Sequence, residues 1–192
     1  IRPSRGLGDV YKRQLSDSVP RMQLGPFSTE TPVFLAPMAG VTDLPMRQLA
    51  VKHGADVAVG EMMASDLSLS ESRKSTLRAR HSTEAGLRTI QLVGNDPSAL
   101  AAAARYNVER GAEVIDINMG CPAKKVCKKA AGSALLADPQ LVETLLTAVT
   151  KAVSVPVTLK IRTGVAPDQR NGVEIARLSL IHISEPTRRS YI

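Results

Sequence analysis

Residues 87–122 read LRTIQLVGNDPSALAAAARYNVERGAEVIDINMGCP. This stretch begins with an apolar run, continues through an alanine-rich helical pattern, and ends with a second apolar run. Asp96 followed by Pro97 is typical of a helix start, and Gly111 is typical of a helix end. Both apolar runs are nearly continuous, which is typical of parallel strands that are buried on both faces. The stretch therefore predicts a β-α-β unit.

The same alternation continues on both sides of this unit. Asp138–Pro139 opens another apolar stripe at helical spacing, and Thr42 or Asp43 opens an earlier helix that ends at Gly54. The order glycine, alanine, acidic residue, valine occurs at both 54–57 and 111–114, which indicates a repeated unit. Five strands are predicted, namely Pro32–Ala36, Asp56–Gly60, Leu87–Val93, Glu113–Asn118 and Pro156–Ile161.

This alternation indicates an α/β fold, for which two architectures compete. A dinucleotide-binding, doubly wound domain would carry G-x-G-x-x-G after its first strand, but APMAGVTD stands there at 36–43, and no Walker A sequence follows anywhere. A (β/α)8 TIM barrel needs about 250 residues. We therefore predict a TIM barrel truncated to about its first five βα units, in preference to a complete doubly wound domain.

Composition sets the broad class of the protein. The chain has 192 residues, 43% of them hydrophobic, two cysteines and a net charge of +7. No apolar run approaches the roughly 18 residues of a membrane-spanning helix. Two cysteines are too few for a disulfide framework, so a cytoplasmic protein is expected. The basic excess suggests a nucleic-acid partner, but +3 of it lies in residues 1–14 and +1 in residues 178–192.

Both ends of the chain differ in character from its middle. The sequence DVYKRQ at 9–14 resembles the translation of a transposase mosaic-end adaptor, and LSLIHIS at 178–184 resembles the opposite strand of that adaptor. We expect residues 1–14 and 178–192 to be non-native, adaptor-derived segments. The domain is then expected to span 22–177, and the alternative is a pair of frayed termini.

Polar and reactive residues follow or occupy the predicted strands, at the end where such barrels carry their chemistry. Lys160 lies between Leu159 and Ile161 in a strand that is expected to be buried, so it needs an anionic or polar partner, or a shifted pKa. Gln91 lies in an apolar strand and needs a hydrogen-bond partner, either a ligand or backbone.

Cys121 stands in a Gly-Cys-Pro turn directly after the fourth predicted strand. It is either a small buried residue or a functional thiol. The spacing to Cys127, without a nearby pair of histidines, makes a poor zinc site, and no metal is expected. A solvated loop face or a phosphate-binding patch is formed by the neighbouring lysines, Lys124, Lys125, Lys128 and Lys129.

Five motifs together resemble the tRNA-dihydrouridine synthases, most closely their bacterial B-type branch. They are APMAGVTD (36–43), EMM (61–63), DINMGCPAKKV (116–126), GSALL (132–136) and PVTLKIRTG (156–164), and they occur in order across essentially all of 22–177. The resemblance implies an FMN-containing barrel that uses NADPH to reduce selected uridines of tRNA to dihydrouridine.

The resemblance also assigns roles to individual residues. It implies that Pro37, Met38 and Ala39 lie against the flavin and that Gln91 hydrogen-bonds its ring. It implies that Lys160 faces the N1/C2-carbonyl edge, where a cation stabilises the reduced flavin.

For the substrate, the resemblance implies that Cys121 is the proton donor. Hydride passes from flavin N5 to uracil C6, and the Cys121 thiol protonates C5. Asn118 is expected to help hold the uracil. Lys124 and Lys125 are expected to contact the tRNA, whose target base must leave its stack.

The family continues with further barrel strands and a helical tRNA-binding domain, which are expected to be absent from this sequence. The chain alone is therefore expected to be inactive, whereas the full-length protein is expected to be a monomer without a membrane segment. Two alternatives remain open at this point. One is a flavin-barrel dehydrogenase of free pyrimidines, and the other is a truncated product without function.

Overall fold

Parallel strands joined by helices make up most of the described chain. The computed structural model describes residues 21–29, 32–69 and 86–182, with the backbone alone for 181 and 182. The strands are β1 (Met22–Leu24), β2 (Phe27–Thr29), β3 (Phe34–Leu35), β4 (Val57–Val59), β5 (Met63–Ala64), β6 (Leu87–Val93), β7 (Val114–Met119) and β8 (Val157–Ile161). The parallel sheet has the order β3-β4-β6-β7-β8, and β5 pairs with the end of β6.

Three helices begin at the residues that the sequence marks, and two further helices were not predicted. Together they are α1 (Leu44–Lys52), α2 (Pro97–Glu109), α3 (Lys124–Cys127), α4 (Pro139–Ala152) and α5 (Gly172–His182), with 3-10 turns at Leu67–Leu69 and Gly132–Ala137. The carboxylates of Asp43, Asp96 and Asp138 each accept a hydrogen bond from a backbone N–H in the first turn. Each such cap stabilises its helix by about 1 kcal/mol.

The two faces of the sheet differ in polarity. On β7, Ile115, Ile117 and Met119 are fully buried in the core between the sheet and the helices, while the alternate residues Asp116 and Asn118 face the inner side. Helices α2 and α4 pack against each other, as do α4 and α5. Burial of each large apolar side chain contributes about 1.5–3 kcal/mol; on α4 these are Val142, Leu145, Leu146 and Val149.

A β-hairpin that the sequence patterns did not predict lies at the amino end of the sheet. Strands β1 and β2 pair antiparallel around a turn in which Gly25 has φ +57°. Gly25 lies directly against the ring of Pro156, and Leu24 is 2% exposed. Pro156 directly precedes β8, and Leu24 lines the cleft of the inner face, so the hairpin closes the amino end of that face. Its strands are too short to give a periodic signal.

The predicted fold class is confirmed: the described chain is a parallel half-barrel built on β3, β4, β6, β7 and β8, with α-helices described after β3, β6, β7 and β8. The predicted strand Leu87–Val93 is correct at both ends, whereas the predicted strand Pro32–Ala36 is reduced to Phe34–Leu35. The sequence patterns also missed β5. Among the described residues, no helix is long and apolar enough to cross a membrane.

The predicted domain boundary at residue 177 falls inside α5, which continues to His182. Residues 1–20 and 183–192 lie outside the described residues. The adaptor-derived origin of the two ends stays a prediction.

Candidate active site

Three neighbouring strands bring polar residues together on the inner face. The register pairs Gln91 of β6 with Asp116 of β7, and Asp116 with Thr158 of β8. Asn118 and Lys160 pair two residues further along the same strands. Side chains alternate between the faces of a sheet, so these five residues share one side. The fold thus joins three residues predicted from separate strands with two, Asp116 and Thr158, that were not predicted.

A chain of hydrogen bonds crosses this face. Thr158 Oγ1 donates to Asp116 Oδ1 over 2.6 Å, and Gln91 Nε2 donates to Asp116 Oδ2 over 2.6 Å. Asn118 Nδ2 then donates to Gln91 Oε1 over 2.8 Å. Gln91, Asp116 and Asn118 are all buried. Because each of these four side chains has a hydrogen-bond partner on the same face, their mutual hydrogen bonds fix their orientations.

Asn118 also shapes the turn that carries Cys121. Its Oδ1 accepts hydrogen bonds from the backbone N–H groups of Gly120 (3.2 Å) and Cys121 (2.9 Å). Both lone pairs of this oxygen are therefore used, and one amide hydrogen of Asn118 remains for a substrate. Arg162 Nε donates to the Gly120 carbonyl over 2.6 Å, and Ser133 N donates to the Cys121 carbonyl over 3.0 Å. The turn is thus held by hydrogen bonds with Asn118 on β7, with Arg162 directly after β8, and with Ser133.

Cys121 itself is half-buried, and a close backbone approach borders it. Gly132 has φ +65°, and a Cβ placed there would lie 2.6 Å from the Cys121 carbonyl oxygen. Cys127 Sγ lies 3.5 Å from the same oxygen, so this second thiol packs against the turn. Within 21–29, 32–69 and 86–182, no group of three or more His, Cys, Asp or Glu side chains could hold a metal ion.

Lys160 and Asp116 provide opposite charges on the inner face. Burial raises the pKa of Asp116, and this shift is opposed by the hydrogen bonds from Thr158 and Gln91 and by the positive charge of Lys160. The expectation that Lys160 is buried is wrong: its side chain is exposed. The reason is that β8 is the last strand of the described sheet, so its inner face is covered from one side only.

The loop after β3 is fixed by a buried arginine. Arg47 is 1% exposed, and its Nη1 donates to the Thr42 carbonyl over 2.9 Å. Thr42 Oγ1 in turn bonds both the N–H (3.0 Å) and the carbonyl (3.1 Å) of Met38. Pro37 is half-buried, whereas Met38 and Ala39 are exposed. The loop therefore presents the backbone and side chains of 37–39 at the carboxyl end of β3.

The inner face encloses a cleft of about 310 Å³. Its floor includes Leu24 of the hairpin, and its walls are mostly aliphatic. Its polar side chains are Thr89, Asp116, Thr158 and Lys160, and Pro37 also lines it. This volume lies at the low end of the roughly 300–1,000 Å³ typical of ligand pockets. An apolar slot with a cation at one end suits a flat ring that carries a polar, electron-accepting edge.

The predicted lysine cluster lies beside the Cys121 turn, on α3 and the loop after it. All four lysines are exposed, and Lys125 and Lys129 line a second cleft of about 410 Å³ together with Met62, Asn95 and Asp66. Hydrogen bonds from Ser68 lower the pKa of Asp66, and the charge of Lys129 adds to this effect. The cluster is thus a charged rim next to the thiol.

Comparison with known proteins identifies the family. The model of the dihydrouridine synthase (Dus) family matches residues 34–180. The chain belongs to the dihydrouridine synthase family. It is similar to tRNA-dihydrouridine synthase B of Pseudomonas aeruginosa (58% identical), Shewanella oneidensis (54%) and Escherichia coli strain K12 (55%), each over 158 residues and 82% of this chain. The chain spans about half the length of these relatives, 48%, 49% and 49% respectively.

A solved structure shares the fold of this dihydrouridine synthase family member. Histamine dehydrogenase from Rhizobium sp. 4-9 superimposes with a TM-score of 0.54 and 12% sequence identity. The match covers 78% of this chain and 34% of the dehydrogenase. At this identity the likeness concerns the arrangement of strands and helices alone, and it agrees with the half-barrel described above.

The inner face of this family member fits the ring part of a flavin. The cleft is mostly apolar, and Lys160 stands at its polar end. Gln91 does not line the cleft; it lies on the same face, is 1% exposed, and keeps one amide hydrogen and one oxygen lone pair beyond its two bonds. These groups match the needs of a ring with hydrogen-bonding edges. A phosphate site in a TIM barrel commonly lies after strands 7 and 8, beyond the five units seen here.

Four of the residues that order the site were not predicted from the sequence, namely Asp116, Thr158, Arg162 and Arg47. Asp116 and Asn118 stand two apart in the strand, and a polar alternation of this kind was available as a signal. Arg162 was not among the predicted site residues, although its Nε binds the Gly120 carbonyl. Arg47 gave no signal, because its burial depends on how α1 packs over the end of β4.

Proposed function

We propose that this chain contributes the ring-binding and proton-donating part of an FMN-dependent tRNA-dihydrouridine synthase. The observation that carries this proposal is the hydrogen-bond chain that links the inner face to the turn of Cys121, in a member of the dihydrouridine synthase family. The reaction is reduction of the C5=C6 bond of uridine in tRNA, with NADPH as the reductant. When bound, FMN supplies the hydride that is added at C6.

In this proposal Cys121 holds a proton at Sγ and gives it to C5 of the uracil. Addition of one hydride and one proton saturates the C5=C6 bond and leaves the thiolate, which regains its proton from solvent. The backbone that carries this thiol is held in place, because two backbone N–H groups of the turn bind Asn118.

The other predicted residues have supporting roles. Lys160 places a positive charge at the polar end of the cleft, where it would stabilise negative charge on a reduced ring. Gln91 has one donor and one acceptor left for the ring, and Pro37, Met38 and Ala39 would lie along it. The free amide hydrogen of Asn118 can donate to a carbonyl of the uracil.

The tRNA would approach over the lysine rim. Lys124 and Lys125 lie on the short helix directly after the Cys121 turn, and both are exposed. Positive side chains here would bind backbone phosphates next to the extruded uridine. The two free cysteines are compatible with the cytoplasm, where tRNA is processed. The full-length protein is proposed to act as a monomer. No observation favours a dehydrogenase of free pyrimidines.

A hybrid protein tests this function. Residues 22–177 would replace the matching region of tRNA-dihydrouridine synthase B from Pseudomonas aeruginosa, which is 58% identical and supplies the rest of the length. We expect the hybrid to bind FMN and to form dihydrouridine in unmodified tRNA when NADPH is added. Mass spectrometry of the nucleosides measures the product.

Two cysteine variants of the hybrid separate the roles of the thiols. Cys121→Ala should retain FMN and lose about 10²–10⁴-fold in turnover, the usual contribution of a general acid. Cys127→Ser is the matched control, since it keeps a donor toward the Cys121 carbonyl, and it should retain turnover. Unchanged turnover in Cys121→Ala would reject the proton-donor role.

A further inference from the structure

The buried carboxylate of Asp116 has no role in the function proposed above. It is 6% exposed and lies between the side chains of Gln91 and Thr158, each 2.6 Å away. Burying a carboxylate is costly unless its oxygens are hydrogen-bonded, and here both are. Three valines, Val57, Val59 and Val114, already line this cleft, so an apolar residue would be compatible with the fold at this register position. Packing alone therefore does not explain why a carboxylate, and not an apolar side chain, is buried at this position.

The direction of the hydrogen-bond chain supplies that reason. A carboxamide can be turned by 180°, which exchanges its donor and its acceptor. At one end of this chain stand backbone N–H groups of the Cys121 turn, which can only donate. At the other end stands Asp116, whose Oδ2 accepts from Gln91. Each amide between these ends has one orientation that satisfies every partner, because a turned amide would place donor against donor or acceptor against acceptor.

We propose that Asp116 is a positioning residue that fixes the orientation of the Gln91 carboxamide toward the flavin ring. This inference rests on the proposed function, since it requires a flavin on the inner face beside Gln91. Asp116 does not touch the reacting atoms; it acts through Gln91. The remaining amide hydrogen and oxygen lone pair of Gln91 then have a defined arrangement, as a ring with alternating donors and acceptors demands.

Substitutions of Asp116 in the hybrid protein test this role. Asp116→Asn keeps an oxygen that can face Gln91, with the new amide donating to the Thr158 hydroxyl, so the chain keeps its direction. Asp116→Leu has a similar shape but offers no acceptor, so Gln91 is released. We expect the dissociation constant of FMN to rise by about tenfold in Asp116→Leu, the equivalent of one lost hydrogen bond, and by less than about threefold in Asp116→Asn.

A matched control separates positioning from loss of stability. Ile117→Ala removes buried atoms from the outer face of the same strand, one residue away, without touching the chain. It should lower the melting temperature at least as much as Asp116→Leu while leaving FMN affinity within about twofold. A second readout is the side-chain amide resonance of Gln91 in nitrogen-15 NMR, which should shift in Asp116→Leu and be restored toward wild type in Asp116→Asn.

The possible results are distinct. Equal FMN affinity in wild type and Asp116→Leu overturns the positioning role and leaves the proposed function intact. A parallel loss of affinity in Ile117→Ala also overturns it, because general destabilisation would then suffice. If the unsubstituted hybrid binds no FMN, the proposed function fails, and this inference fails with it. Loss of affinity in Asp116→Leu with recovery in Asp116→Asn supports it.

Discussion

The close approach of Gly132 to the Cys121 turn makes a quantitative prediction for stability. In Gly132→Ala the new Cβ would lie 2.6 Å from the Cys121 carbonyl oxygen and 2.9 Å from Val126 Cγ1. A backbone φ of +65° costs a non-glycine residue about 1–2 kcal/mol. Overpacking against a fixed carbonyl adds about 1–3 kcal/mol. We expect the free energy of unfolding to fall by about 2–5 kcal/mol.

Gly40 offers the matched control. Its φ is +75°, close to that of Gly132, but nothing lies within 4 Å of an added Cβ. Gly40→Ala should therefore show only the conformational cost of about 1–2 kcal/mol. The difference between the two variants isolates the steric contact with the turn of Cys121.

Urea unfolding of the 192-residue chain, followed by far-ultraviolet circular dichroism, measures this difference. With m-values of about 1–3 kcal/mol/M, a difference of about 1–3 kcal/mol separates the two midpoints by roughly 0.5–2 M. Alkylation of Cys121 by iodoacetamide provides a local readout, whose rate should change in Gly132→Ala and not in Gly40→Ala. Equal midpoints for the two variants would refute the claim that the loop is packed tightly against this carbonyl.

Three further predictions concern other parts of the framework. Arg47→Met should destabilise the chain by about 1.5–3 kcal/mol, because it removes the buried, charged donor to the Thr42 carbonyl. The exposed Arg105→Ala should change stability by less than about 0.5 kcal/mol, and urea midpoints compare the two variants. Asp96→Ala should cost about 1 kcal/mol through loss of the cap on α2, and Asp96→Asn should recover most of it. The pKa of Asp116 is raised above 3.8, so between that value and the raised pKa the folded state binds more protons than the unfolded state. Wild-type stability should therefore fall as pH rises through this window relative to Asp116→Asn, and a constant difference between the two proteins across it would contradict the shift.

The parts of the fold that were predictable are those with local signals. The caps at Asp43, Asp96 and Asp138 and the apolar strand at 87–93 depend on residues close together in the sequence, and all four are confirmed. The hairpin at 22–29 has three-residue strands, for which neither periodicity nor composition gives a signal. Its position depends on contact with Pro156, which is more than 120 residues away along the chain.

The candidate site also contains residues that local patterns predict and residues whose arrangement depends on distant parts of the chain. Gln91 and Lys160 were predicted because polar residues in apolar strands are unusual. The exposure of Lys160 could not be predicted, since it depends on β8 being the last strand of the described sheet. The partnership of Gln91 with Asp116 requires the register between β6 and β7, which no single strand determines. Long-range pairing therefore marks the limit of what the sequence patterns predict here.

The turn of Cys121 is hydrogen-bonded both to the inner face and to the segment that follows the lysine rim. Its backbone N–H groups bind Asn118, so the turn is coupled to the inner face and to whatever ring lies there. Its carbonyl groups accept from Arg162 and Ser133, which couple it to β8 and to the loop that follows the lysine rim. These contacts fix the backbone of Cys121 relative to both surfaces. In the proposed reaction, that is the requirement for a residue that must protonate one face of a uracil while the ring supplies hydride and the lysines hold the RNA.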